Sequence, residues 1–160
     1  QEWSKEAREM EESITIIISM EAQRNIDFFV DTSAFAALFV QKEISHQHYQ
    51  EFFKKLSAQP NLQFTTTDYV IDEWFTLLRY RYHVPASDIV AFYEQLLAGG
   101  LKVWFVTRTD FSKSMLLAKK YHDHLLSFTD ATTVVVMHYH GLKKILTMDK
   151  DFQAFGFEMI

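Results

Sequence analysis

The sequence predicts an α/β domain, a parallel sheet with helices on both of its faces. Two observations predict it. Short β-rich runs alternate with helix-patterned segments along the chain, and strands separated by helices require parallel pairing with the crossovers packed over the sheet. At 160 residues with 48% hydrophobic content, the chain is also long enough to bury one real core, and only one.

The elements follow in order. Residues 26–30, IDFFV, read as the first strand, closed by Asp31. Residues 32–40 are apolar and helical in character. A polar break leads to a second helix at 46–58, which stops near Pro60. Residues 62–66 form the second strand. Thr67 or Asp68 can cap a helix running to about Tyr82. Pro85 interrupts the pattern, Ser87 or Asp88 can cap the next helix, and Gly99-Gly100 ends it. Residues 102–107, KVWFVT, give a third strand. Thr109 or Asp110 opens a helix to about Asp123, and Ser127 opens another that ends at Gly141. Residues 144–148 are the fourth strand and 157–160 the fifth. Ahead of all this, QEWSKEAREMEE is charged and SITIIIS is β-prone. A compact domain begins directly after Met20, so residues 1–19 read as an N-terminal extension and 20–160 as the domain.

The composition excludes several classes. There is no cysteine, hence no disulfide framework and no thiolate metal site. No apolar run approaches the roughly 20 residues of a membrane helix. A soluble, cytoplasmic protein without a membrane partner is the expectation. The net charge of −5 opposes binding phosphates by bulk charge, unless metal ions reverse the sign locally.

Open parallel sheets bind ligands beyond the carboxyl ends of their strands, and that rule selects the candidate site. Asp31 and Asp149 directly follow the first and fourth strands, which puts both on one rim. In the helix after the second strand, Val70, Ile71, Trp74, Leu77 and Leu78 form an apolar stripe. Asp72 points away from that stripe and Glu73 lies at its flank, able to lean over the sheet edge. Ser127 and Asp130 match a capping box, and the helix they open is apolar nearly all round. Taken singly, capping or a surface ion pair would explain each acid. Together they would repel one another without a counter-charge. Mg²⁺, or Mn²⁺ in its place, is the natural partner for such oxygen ligands. A site of this kind can activate water and stabilise a phosphoryl group displaced in line.

The order D-T-S (Asp31, Thr32, Ser33), V-I-D-E-W (Val70 to Trp74), L-S-F-T-D-A (Leu126 to Ala131) and L-T-M-D-K-D-F with G-F (Leu146 to Phe152, Gly156-Phe157) resembles the PIN domain. Within that family it is similar to the VapC-type toxins of toxin–antitoxin pairs. The resemblance spans about residues 26–160. It implies a three-layer α/β/α sandwich and a metal-dependent endoribonuclease that leaves a 5′-phosphate and a 3′-hydroxyl. It also implies an RNA substrate, a cognate antitoxin and a homodimer. Asp31, Glu73, Asp130 and Asp149 match its catalytic, metal-holding acids. Thr32, Ser33, Thr147 and Asp123 match positions that support or orient the site, Asp123 also reading as a surface residue. Asp151 reads as structural. The alternative is a catalytically silent PIN-like module that binds RNA or assembles complexes.

The remaining residues point to no second chemistry. The pairs His46/His48, His122/His124 and His138/His140 are each two apart, so no pair shares a helix face and zinc is not expected. Arg79, Arg81 and the short lysine pairs read as solvated faces. Aromatics, Trp104 and Phe105 among them, are assigned mostly to the core.

Overall fold

The computed structural model describes residues 26–40, 45–56, 59 and 61–160; the predicted extension at 1–19 lies outside them. The elements run β1 (Ile26–Val30), α1 (Thr32–Phe39), α2 (His46–Leu56), β2 (Leu62–Thr67), α3 (Asp68–Tyr80), α4 (Ala86–Ala98), β3 (Lys102–Trp104), α5 (Arg108–Lys120), α6 (Phe128–Tyr139), β4 (Lys144–Leu146), a 3-10 turn (Lys150–Phe155) and β5 (Glu158–Met159). Among the described residues there are five strands, all parallel, in the order β3-β2-β1-β4-β5.

The strand order explains the layering. The chain steps outward from β1 to β2 to β3, then crosses back to β4 on the other side of β1. Right-handed crossovers stepping in opposite directions place their helices on opposite faces, which makes the three-layer α/β/α sandwich. β1 lies in the middle and is covered on both sides: Phe28, Phe29 and Val30 are all buried although neighbouring side chains point to opposite faces. The reversal falls between β1 and β4, so the crevice where such sheets bind ligands opens there.

Helix α6 is buried continuously from Ala131 to Met137, as an apolar surface all round requires. On α3, Val70, Trp74 and Leu78 are fully buried while Asp72 is exposed. Trp74 packs against Phe35 and Phe39 of α1 and Phe92 of α4, clamping the three helices together. Among the described residues, no helix is long and apolar enough to cross a membrane.

Several boundaries differ from the sequence expectation; β4, for one, ends at Leu146 rather than at 148. β3 ends at Trp104 rather than Thr107, because Thr107 is the cap of α5. Its hydroxyl accepts from the Asp110 amide and the Asp110 carboxylate accepts from the Thr107 amide. Thr109 and Asp110 therefore lie inside the helix that either was expected to open, and the reciprocal box favours the earlier start. α4 begins at Ala86 with Pro85 as its cap; proline's fixed φ suits the position just before a helix. Phe105 is not core: it is 72% exposed in the loop left when β3 stops early.

Candidate active site

Strand β1 delivers Asp31 to the rim. Its backbone amide still donates to Leu146 O of β4 at 3.1 Å, so the ladder holds the residue in place one step beyond the strand. The side chain is 5% exposed. One carboxylate oxygen, Oδ2, accepts from Thr147 Oγ1 at 2.8 Å and from Ser33 Oγ at 3.1 Å. These hydroxyls also hold the β4 exit. Thr147 Oγ1 accepts from the Asp149 amide at 3.0 Å, and Ser33 Oγ accepts from the Met148 amide at 3.0 Å. The two strands that flank the crevice are thus joined through a Ser33–Thr147 pair.

Thr32, next along α1, donates its hydroxyl to Glu73 Oε2. The contact exists because the apolar stripe of α3 faces inward and carries Glu73, half-buried, toward the start of α1. Asp130 heads α6 in a capping box: its carboxylate accepts from the Ser127 amide at 2.8 Å and its amide donates to Ser127 Oγ at 3.0 Å. Asp149 Oδ1 accepts from the Asp151 amide at 2.9 Å.

Electrostatics tie these carboxylates into one field. Burial pushes the Asp31 carboxyl up to about 6; hydroxyl and amide donors oppose this, and the Asp130 charge adds to it. Glu73 is raised by burial, and the charges of Asp130 and Asp72 push the same way. Asp130 is raised by burial, then by Asp149 and Asp151. Asp130 is therefore the hub that feels or affects Asp31, Glu73 and Asp149. What steadies the shifted carboxyls is hydroxyl and amide hydrogen bonding from Thr147, Thr32, Ser33 and Ser127.

Asp123 stands apart, exposed in the turn after α5. Two residues that sequence reasoning did not assign to the candidate site lie within reach of its charges. Asp151 acts on Asp130; its place two residues after Asp149 was the available signal. Tyr49 of α2 is 2% exposed, and its phenol is pushed up to about 12 by burial and then by the Asp31 charge. Nothing in the local sequence distinguishes it from a core aromatic.

The donor set suits a hard divalent cation. Among the described residues, no three His, Asp or Glu side chains form a ready-made ligand group. Mg²⁺ does not need one, because it keeps several waters and takes one or two carboxylates together with substrate phosphate. Oxygen donors only, at a rim of mutually repelling carboxylates, fit that mode.

A family model for the PIN domain matches residues 28–158. Among solved structures, Mycobacterium tuberculosis VapC20, described as a sarcin-ricin loop cleaving toxin, is similar at 29% identity, with a TM-score of 0.71 over 82% of this chain and 96% of that one. PAE2754 from Pyrobaculum aerophilum is 20% identical over 84% of this chain and 91% of its own, with a TM-score of 0.57. FitAcB from Neisseria gonorrhoeae is 12% identical over 83% and 96%, with a TM-score of 0.56. The last two are similar in fold alone. No curated protein matches the chain.

Proposed function

The chain belongs to the PIN-domain family, and from that premise we propose that it is a metal-dependent endoribonuclease acting as the toxin of a toxin–antitoxin pair. The observation that carries the reading is a chain of contacts at the β1–β4 crevice: Thr147 joins the Asp31 carboxylate to the Asp149 amide, and Thr32, next to Asp31, joins Glu73. The likeness to VapC20, a sarcin-ricin loop cleaving toxin, supports the substrate class.

Asp31, Glu73, Asp130 and Asp149 would together hold Mg²⁺, one or two of them directly and the others through its waters, with Mn²⁺ able to substitute. When bound, such an ion lowers the pKa of water and neutralises charge on a phosphoryl group under in-line attack. The chain's own groups do the positioning. Thr147 and Ser33 fix the Asp31 carboxylate through one oxygen, leaving the other free of them. Thr32 fixes Glu73, and the capping box fixes Asp130. The nuclease unit is assigned to residues 20–160, with 1–19 an appended segment. A homodimer in the cytoplasm, held in check by an antitoxin, completes the proposal.

The decisive assay follows single-stranded RNA with and without Mg²⁺. Metal-dependent cleavage is expected. Binding with no cleavage in Mg²⁺ or Mn²⁺ would instead make the chain a silent RNA-binding module. A second expectation concerns the hydroxyl node. Thr147→Val keeps the shape but strips Asp31 of its shortest donor and orphans the Asp149 amide. Unfolding stability should fall by about 1–3 kcal/mol, and kcat should fall at least tenfold with KM little changed. Steady-state kinetics and denaturant melts check both, and an unaltered kcat would contradict the node's role.

A further inference from the structure

A second cleft, separate from the acidic crevice, has a volume of about 310 Å³. The loop after β3, the start of α5 and the C-terminal end of α6 form its walls. Phe105 and Tyr139 line it and are 72% and 71% exposed. Trp104 lies deeper, stacked on His140 with ring centroids 3.7 Å apart and 20° between planes. Two cations attend these rings: Lys102 Nζ is 3.9 Å from the Trp104 centroid, and Lys113 Nζ is 5.8 Å from that of Tyr139. The cleft's carboxylate, Asp110, already accepts from the Thr107 amide at 3.0 Å and the Thr107 hydroxyl at 2.6 Å.

The position relates the cleft to the crevice. Asp130 heads α6 and His140 closes it, so the separation along the helix is about 15 Å. That is roughly four stacked nucleotides at the spacing of one strand of a duplex. The Phe105 loop is also tied to the helix that carries Glu73. The Val106 amide donates to Asp68 Oδ1 at 2.9 Å, at the start of that helix. The cleft therefore has a fixed place relative to the acids.

Exposed aromatic faces interleaved with lysines are the chemistry that binds unpaired nucleotides, the rings stacking bases and the ammonium groups meeting phosphates. We propose that this cleft is a nucleobase subsite for single-stranded RNA, in which an unstacked base lies against Phe105 and Tyr139 while Lys113 and Lys102 meet the adjoining phosphates. This rests on the reading of RNA as substrate and adds to it a point of contact outside the cutting centre.

The test uses the full chain carrying Asp31→Asn, so that RNA is bound without being cut. Labelled oligouridine and an abasic oligomer of the same length serve as probes in fluorescence anisotropy over a range of salt. Adding Phe105→Ala or Tyr139→Ala is expected to weaken oligouridine binding about tenfold each and to leave abasic binding unchanged. Lys113→Ala should flatten the slope of log K against log salt by about 0.7. The subsite is overturned if the aromatic variants bind oligouridine like their parent, or lose equal affinity for both probes. It is also overturned if they alter the sedimented mass, since the cleft would then be a protein–protein contact. Cleavage by the otherwise wild-type chain is measured alongside. Metal-dependent cutting with unaffected aromatic variants sinks the subsite alone. Weakened oligouridine binding in a chain that never cuts sinks the nuclease reading and supports the subsite.

Discussion

Asp31→Asn is expected to abolish RNA cleavage, by about 10³-fold or more, and at the same time to make the metal-free protein harder to melt. The first effect follows from removing a charge that would meet the divalent ion; a factor of 10³ corresponds to about 4 kcal/mol of transition-state stabilisation. The second follows from burial. The Asp31 carboxyl ionises near 3.8 in an unfolded chain and near 6 when folded. Between those values the folded protein binds more protons than the unfolded one, so stability falls as pH rises through the window. The loss is complete above pH 6, at about 3 kcal/mol. Asparagine carries no charge and escapes the penalty. At pH 7.5 without metal the variant should melt higher, by roughly 5–10 °C for a chain of this size, and near pH 4 the two should converge. Calorimetry at both pH values checks this. A wild type that melts higher than the variant at pH 7.5 would contradict the buried-charge account. Mg²⁺ should then raise the wild-type midpoint and not the variant's, because only the former gains a ligand that binds the folded state alone.

Trp74→Ala should bring the largest loss of stability, about 3–5 kcal/mol out of a total of roughly 5–15 kcal/mol for a domain. Trp74 is fully buried and lies within ring contact of Phe35, Phe39 and Phe92. Its removal loosens α3 from α1, and that packing brings Glu73 to Thr32. Activity should therefore fall even at temperatures where the variant is folded. Denaturant melts give the stability. Wild-type kcat in the folded fraction would show that the aromatic clamp is not what positions Glu73.

Much of the site could be seen before the fold because it depends on local rules. Asp31 and Asp149 follow their strands, so the rim rule applies to each without knowledge of strand order. The stripe of α3 separates Asp72 from Glu73 by angle alone. Ser127 and Asp130 carry a capping signature. The contacts that join these pieces are long-range: Thr147 to Asp31 and Thr32 to Glu73 span 116 and 41 residues, and no periodicity reports them. The same holds for Tyr49, whose tie to Asp31 depends on how α2 folds back. The end of β3 was misread for a different reason. Thr107, Thr109 and Asp110 are all competent caps, and the choice between them turns on which pair can reciprocate. Because KVWFVT is β-prone throughout, its pattern hides the early stop that exposes Phe105.

Among the described residues, the sheet is bordered by a strand of three residues on one side and of two on the other. Such stubs offer an incoming chain almost no free amides or carbonyls to pair with, which guards against self-association through stacked borders. A regulatory peptide could gain little by lengthening this sheet. Its affinity would have to come from side chains set into surface hollows, so single-residue changes in that peptide should alter recognition sharply.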